Sequence, residues 1–231
     1  MGCCESRHDP SLMSSGRPEM YKSSIDEGGS MPAVERAAEA IRASAGGQLT
    51  PGGLRDVRLA LLALPRDPNS VPEVEQRDMS EIVQILKCET QSADLMLTGL
   101  VLMRYLAQRQ VNQKRMAATD CVSLVLQALQ IHDSNPTLQG VACDTLGNLL
   151  QEEINTEQFL QQRGVDAVFR VINANMSHTR VMEAACFLLG NVASSEEGLK
   201  HIARNGGGKV ALSVMKAHDK DPELLRELLF L

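Results

Sequence analysis

The stretches DLMLTGLVLMRYLA (94–107), TLQGVACDTLGNLL (137–150) and RVMEAACFLLGNVA (180–193) align without a gap at a spacing of 43 residues. Equivalent positions carry the same physical type: Leu95, Leu138 and Val181; Gly99, Ala142 and Ala185; Met103, Leu146 and Leu189; Leu106, Leu149 and Val192. These positions fall at i, i+4, i+8 and i+11, a single stripe along an α-helix. The small residue at the second position leaves room for a neighbouring helix to approach closely. A further step of 43 reaches Glu223, where ELLRELLFL (223–231) opens a fourth copy with Leu224 on the stripe. That copy stops one residue short of the equivalent of Leu146 and Leu189, so the chain is expected to be a fragment or to end in an unusual cap.

The segment before each of these helices repeats in the same register. Met79, Val122 and Val165 correspond, as do Ile82, Val125, Val168 and Ala211, then Val83, Leu126, Phe169 and Leu212, then Leu86, Leu129, Ile172 and Met215. A second helix per unit follows. Between the two lie Ser92, Asn135, His178 and Asp221, three of them favoured N-cap residues, and Asn135 and Asp221 each precede a Pro suited to a first helical turn. A shorter amphipathic piece (Val111–Ala117, Ile154–Leu160, Leu199–Ala203) supplies a third helix, ending near Cys121, Gly164 and Gly207, where a sharp turn is expected.

Three helices per unit at this period define the armadillo/HEAT class of α-solenoid, in which each unit buries its apolar face only against its neighbours. LGNLL (146–150) and LGNVA (189–193), with Gly164 heading the second helix, resemble armadillo repeats, whose last helix ends in an L-x-N-L pattern. The resemblance covers about residues 76–231; the first unit departs from it with Tyr105 in place of the Asn. It implies an all-α, right-handed armadillo solenoid of about three and a half repeats over 76–231. Ahead of it stand N-terminal helices with a Pro-rich linker over 32–75 and a disordered tether over 1–31. Within 32–75, Pro32–Ala45 reads as amphipathic, Gly46, Gly47, Pro51, Gly52 and Gly53 as a break, and Leu54–Leu64 as a dense apolar helix stopped by Pro65, Pro68 and Pro72.

The resemblance further implies a concave groove lined by the last helix of each unit, binding an extended or helical peptide. Its positions lie off the apolar stripe: Val101, Asp144 and Phe187 in one row, Tyr105, Asn148 and Asn191 in the next. An Asn there either bonds a peptide main chain through its donor and acceptor, or holds the repeat's own backbone. Tyr105 and Phe187 read equally as groove or core. Armadillo proteins that read nuclear-import signals carry Trp one turn before the Asn; Val101, Asp144 and Phe187 stand there instead, so nuclear import is not implied.

Composition narrows the function classes. The chain has 231 residues, 43% hydrophobic and only 3% aromatic with no Trp, which disfavours aromatic-rich sandwiches and barrels. A formal net charge of −6 without basic blocks argues against nucleic acid as partner, because phosphate binding needs clustered Lys and Arg. No catalytic, metal or cofactor site, and no small-molecule substrate, is expected. Gly206-Gly207-Gly208-Lys209 lacks the spacing and preceding strand of a phosphate loop and reads as an inter-helix turn. Cys143 and Cys186 occupy equivalent stripe positions and read as buried thiols. His132 and His218 mark the end of the second helix, near its last carbonyls. His8, His178 and His201 have no Cys, Asp or Glu at ligand spacing.

The N-terminus carries a separate signal. Met1-Gly2-Cys3-Cys4-Glu5-Ser6 fits M-G-x-x-x-[ST], with Gly2 the myristoyl acceptor after removal of Met1. Cys3 and Cys4 then lie at the bilayer surface, where they are candidates for palmitoylation. One myristoyl chain binds marginally; a second acyl chain, at ~0.8 kcal/mol per buried CH₂, makes residence stable. Only Arg7, Arg17 and Lys22 are basic in the first thirty residues, so acyl chains rather than charge would provide the anchor. An armadillo array behind such a start is similar to the yeast vacuolar armadillo adaptor and to the apicomplexan armadillo-repeats-only proteins. That resemblance implies a non-enzymatic scaffold on the cytoplasmic face of a membrane, with protein partners in the groove. The competing expectation is a soluble regulator, such as a chaperone cofactor or exchange factor, with no anchor.

Overall fold

The computed structural model describes residues 30–47, 49–65, 67–222 and 224. Gly2, Cys3 and Cys4, and the fourth copy beyond Leu224, lie outside them. Among the described residues there are twelve helices and no strand: α1 (Ser30–Ala45), α2 (Pro51–Leu62), α3 (Gln76–Cys88), α4 (Ala93–Leu106), α5 (Gln110–Ala117), α6 (Cys121–Ile131), α7 (Pro136–Leu149), α8 (Glu153–Gln161), α9 (Gly164–Ala174), α10 (Thr179–Ala193), α11 (Glu196–Arg204) and α12 (Gly207–Ala217). A 3-10 turn at Pro68–Ser70 precedes α3.

The 43-residue register becomes translation of layers. Helix α7 packs between α4 and α10, while α6 packs between α3 and α9 and α9 against α12. The short helices α5, α8 and α11 bridge successive layers. One apolar core runs from Val34 through Leu224 without interruption. The small stripe position is required where expected: a Cβ on Gly99 would overlap the Leu86 side chain. Of the inter-helix caps, Ser92 Oγ accepts from Leu95 N (3.4 Å), Asn135 Oδ1 from Leu138 N (3.1 Å) and Asp221 Oδ1 from Leu224 N (3.1 Å), whereas His178 makes no side-chain cap.

The N-terminal helices act as a further layer. Helix α2 stacks on α4 as α4 stacks on α7, and α1 packs on α3. Thr98 Oγ1 donates to Asp94 O (2.8 Å) on its own helix and lies 3.4 Å from Leu54 O on α2, as Thr145 Oγ1 donates to Val141 O (2.7 Å) and lies 3.1 Å from Leu100 O on α4. The expected break is shorter than the sequence suggested, because Pro51, Gly52 and Gly53 form the first turn of α2. Thr50 caps that turn, its Oγ1 accepting from Gly53 N at 3.3 Å. Between α2 and α3, the place of a short helix is taken by an extended segment pinned by Asn112. Its Oδ1 accepts from Val74 N (3.1 Å), and its Nδ2 donates to Pro72 O (2.8 Å) and Leu106 O (3.0 Å).

The sharp turn before the second helix of a unit sits one residue earlier than expected. Arg163 (φ 58°) and Gly206 (φ 87°) adopt the left-handed conformation, while Gly164 and Gly207 are already helical. Those two glycines serve close approach instead: a Cβ on Gly164 would overlap the fully buried Phe159 ring, and one on Gly207 the Ile202 side chain.

Candidate functional site: the trough on the last helices

Helices α2, α4, α7 and α10 together present a trough of about 240 Å³. Its walls are Leu61 and Leu62 at the end of α2 with Leu64 just beyond it, Val101, Arg104 and Tyr105 on α4 with Gln108 just beyond it, Asp144 and Asn148 on α7, and Arg180 and Phe187 on α10. Five of the six residues expected in a groove therefore line it, with Asn191 outside. Their depth differs. Val101 and Tyr105 are buried and show only an edge, whereas Asp144, Asn148 and Phe187 are half-buried. The Phe187 ring sits against Gly147, where a Cβ would come within 2.5 Å of its Cδ1.

Both Asn residues are engaged by the repeat's own backbone. Asn148 Nδ2 donates to Arg104 O (3.0 Å) and Asn191 Nδ2 to Gly147 O (2.7 Å), each a carbonyl near the C-terminus of the helix one layer back. Near the end of a helix the carbonyls lose their intrahelical partners. In α4, Ala107 N takes Met103 O and Gln108 N takes Tyr105 O, so Asn148 satisfies the carbonyl between them. One of the two N–H donors of each amide is thus committed to layer stacking. At the equivalent of Asn148 in the first unit, the Tyr105 hydroxyl donates to Ser70 O at 3.5 Å.

The charged residues of the trough form a cluster that the sequence did not reveal. Asp144 Oδ2 is bonded by Arg104 Nη1 (3.1 Å) from α4 and by Arg180 Nη2 from α10, tying three layers together. The residues were readable only as a carboxylate at a non-stripe position; that two guanidiniums from neighbouring units converge on it depends on the stacking. Outside the trough lining, Arg58 Nη1 on α2 lies 3.7 Å from Asp94 Oδ1 on α4.

The remaining titratable and nucleophilic groups fit structural roles. His132 Nε2 bonds Thr90 O (2.8 Å) and His218 Nε2 bonds Met176 O (2.7 Å), each a single ring-to-carbonyl contact reaching the turn of the preceding unit rather than the carbonyls of its own helix. His201 does have a carboxylate at helical spacing, Glu197 Oε1 at 3.4 Å, which makes an exposed i,i+4 pair. Burial pushes the Cys121 thiol up to about 11 and the Cys143 thiol up as well. No group of three or more His, Cys, Asp or Glu residues suited to a metal ion occurs among the described residues, and no helix among them is long and apolar enough to cross a membrane.

No curated protein and no solved structure matches the chain. A family model for the GAC ARM domain matches residues 80–230, well over half of the chain, and spans every unit with the 43-residue register. Armadillo domains are in general protein-binding scaffolds without catalytic chemistry, in keeping with a site that is a trough between layers. The repeat pattern, the layered helices and the family match together identify this chain as a member of the GAC ARM domain family.

Proposed function

We propose that this protein is a non-catalytic, membrane-anchored adaptor that binds partner proteins in the trough of its armadillo array and recruits them to a membrane surface. The observation that carries the protein-binding half is the trough itself, recessed, with apolar and charged walls formed by α2, α4, α7 and α10. Sites of that kind hold an extended segment through side-chain pockets. With one N–H of the Asn148 amide held by Arg104 O, its remaining N–H and its acceptor oxygen, together with the side chains of Val101, Tyr105, Asp144 and Phe187 and with Arg104 and Arg180, carry the contacts to a partner.

What supports the anchoring half is the N-terminal sequence. Gly2 followed by Cys3, Cys4 and Ser6 supplies a first acyl acceptor and two candidates for a second, and two chains hold where one does not. The protein would then reside peripherally on the cytoplasmic face of a membrane. Metabolic labelling with alkyne myristate and alkyne palmitate, with membrane fractionation, tests this. The wild type should incorporate both labels and pellet with membranes; Gly2→Ala should lose the myristate, and replacing Cys3 and Cys4 with Ser should lose the palmitate. An unlabelled wild type that stays entirely in the supernatant would leave a soluble scaffold in place of an anchored one.

A further inference from the structure

The outward side of α10 carries a seat whose equivalent one layer back is filled. Between α4 and α7, Arg104 bonds Asp144 at 3.1 Å. One register step of 43 residues further, the same two positions are Gly147 and Phe187, and a Cβ on Gly147 would come within 2.5 Å of the ring. The next step gives Gly190 and Phe230. Gly190 lies on α10, and a Cβ added there would meet nothing within 4 Å among the described residues, while Phe230 lies outside them. Helix α12 is open in the same layer. Leu126 and Phe169 are 5% and 7% exposed, but their equivalent Leu212 is 58% exposed. Met215 is only partly buried, whereas its equivalents Leu129 and Ile172 belong to the buried core. In the earlier units α6 packs against α7 and α9 against α10; the matching segment after α12 is described only as far as Leu224.

We propose that residues 225–231 of the same chain dock on the outward faces of α10 and α12, with the Phe230 ring seated on Gly190 as Phe187 is on Gly147. Leu228 stands by register opposite Met215, as Gly99 stands opposite Leu86, and takes up part of the apolar face that α12 leaves open. Two observations select this occupant. Phe187 and Phe230 are two of only four Phe in the chain, yet they share one register position, each paired with a glycine. Leu224, immediately before the segment, is 0% exposed and its N donates to Asp221 Oδ1 at 3.1 Å, the same cap by which Asn135 starts α7. The segment is thereby tethered at the seat, an advantage in effective concentration over any second copy. Seated there, Phe230 adds a fourth position to the row of Val101, Asp144 and Phe187 and lengthens the trough by one layer. Only that last consequence rests on the reading of the trough as a protein-binding groove.

The test is a double-mutant cycle on the full-length protein, comparing wild type, Gly190→Ala, Phe230→Ala and the double variant by thermal unfolding, with Gly147→Ala as the reference for a filled seat. Both positions lie at the outer end of the array, and a solenoid layer depends on its immediate neighbours, so the earlier layers stay folded in every variant. In a helix with open surroundings Gly→Ala stabilises, whereas overpacking against a seated side chain reverses the sign. Gly190→Ala should therefore lower the Tm of the wild type, as Gly147→Ala does, but raise it by about 2 °C in the Phe230→Ala background. Equal shifts in the two backgrounds overturn the proposal: upward shifts leave the seat open, and downward shifts assign it to some other group. A Phe230-dependent shift that disappears on dilution, with a dimer seen by light scattering, overturns it in favour of a second copy. Partner binding is not read in this cycle, so a failed seat leaves the protein-binding groove standing.

Discussion

At the scale of residues, the polar side chains that matter most are those that close the seams between layers. Asn148 and Asn191 satisfy carbonyls that helix termini leave without intrahelical partners. Substituting either by Ala should cost about 1–2 kcal/mol, the penalty of leaving a part-buried carbonyl unpaired; urea unfolding of the single variants measures it. Asp78 provides a pH handle. It is buried in the first turn of α3, and burial raises its carboxyl above the usual range while Arg42, at 3.9 Å, opposes the shift. A carboxyl whose folded pKa lies above its unfolded value destabilises the fold when ionised, and that cost disappears as pH falls through the folded pKa. Asp78→Asn should therefore raise the Tm at pH 7, with the advantage over wild type shrinking as the pH drops through the carboxylate range. A constant difference across that range would assign the effect to hydrogen bonding instead of charge.

At the scale of elements, the junction between the short helix and the second helix separates two roles that are easily merged in a glycine-rich turn. The left-handed conformation is at Arg163, where it is strained, and at Gly206, where it is not, whereas Gly164 and Gly207 face packed side chains. Opposite outcomes follow at adjacent positions. Arg163→Gly should stabilise by up to about 1 kcal/mol by relieving a left-handed non-glycine residue, even at the loss of the exposed Asp166 pair. Gly164→Ala should destabilise by about 1–3 kcal/mol through overpacking against Phe159. Thermal or urea unfolding of the two variants distinguishes them directly.

At the scale of the whole molecule, stability is shared between neighbouring layers, as in other solenoids. Helices α1 and α2 form the layer before the first recognisable repeat, burying Ala37, Ile41, Leu54 and Leu61. Each buried aliphatic side chain of Leu or Ile size contributes about 1.5–3 kcal/mol. Removing residues 1–63 should expose the faces of α3 and α4, lowering the Tm and producing binding of a hydrophobic dye, even though the family match begins only at residue 80. The same deletion removes Leu61 and Leu62 from the trough, so this first layer contributes both to the fold and to the lining of the trough.

The repeat was readable in the chain because stripe positions in α4, α7 and α10 face the same kind of neighbour, and a repeated environment selects a repeated residue type. Gly99, Ala142 and Ala185, and the caps at Ser92, Asn135 and Asp221, are set by local geometry and so are visible in one sequence. The partners of the off-stripe residues are not. Arg104, Asp144 and Arg180 come together because consecutive helices are superposed by translation, and Asn148 turns toward a carbonyl one layer back for the same reason. That α1 and α2 belong to the stack was hidden too, since they lack the 43-residue register and are recognised only by what they pack against. Periodicity determined which faces are buried; tertiary stacking decided which polar groups meet across the seams and what the trough presents to a partner.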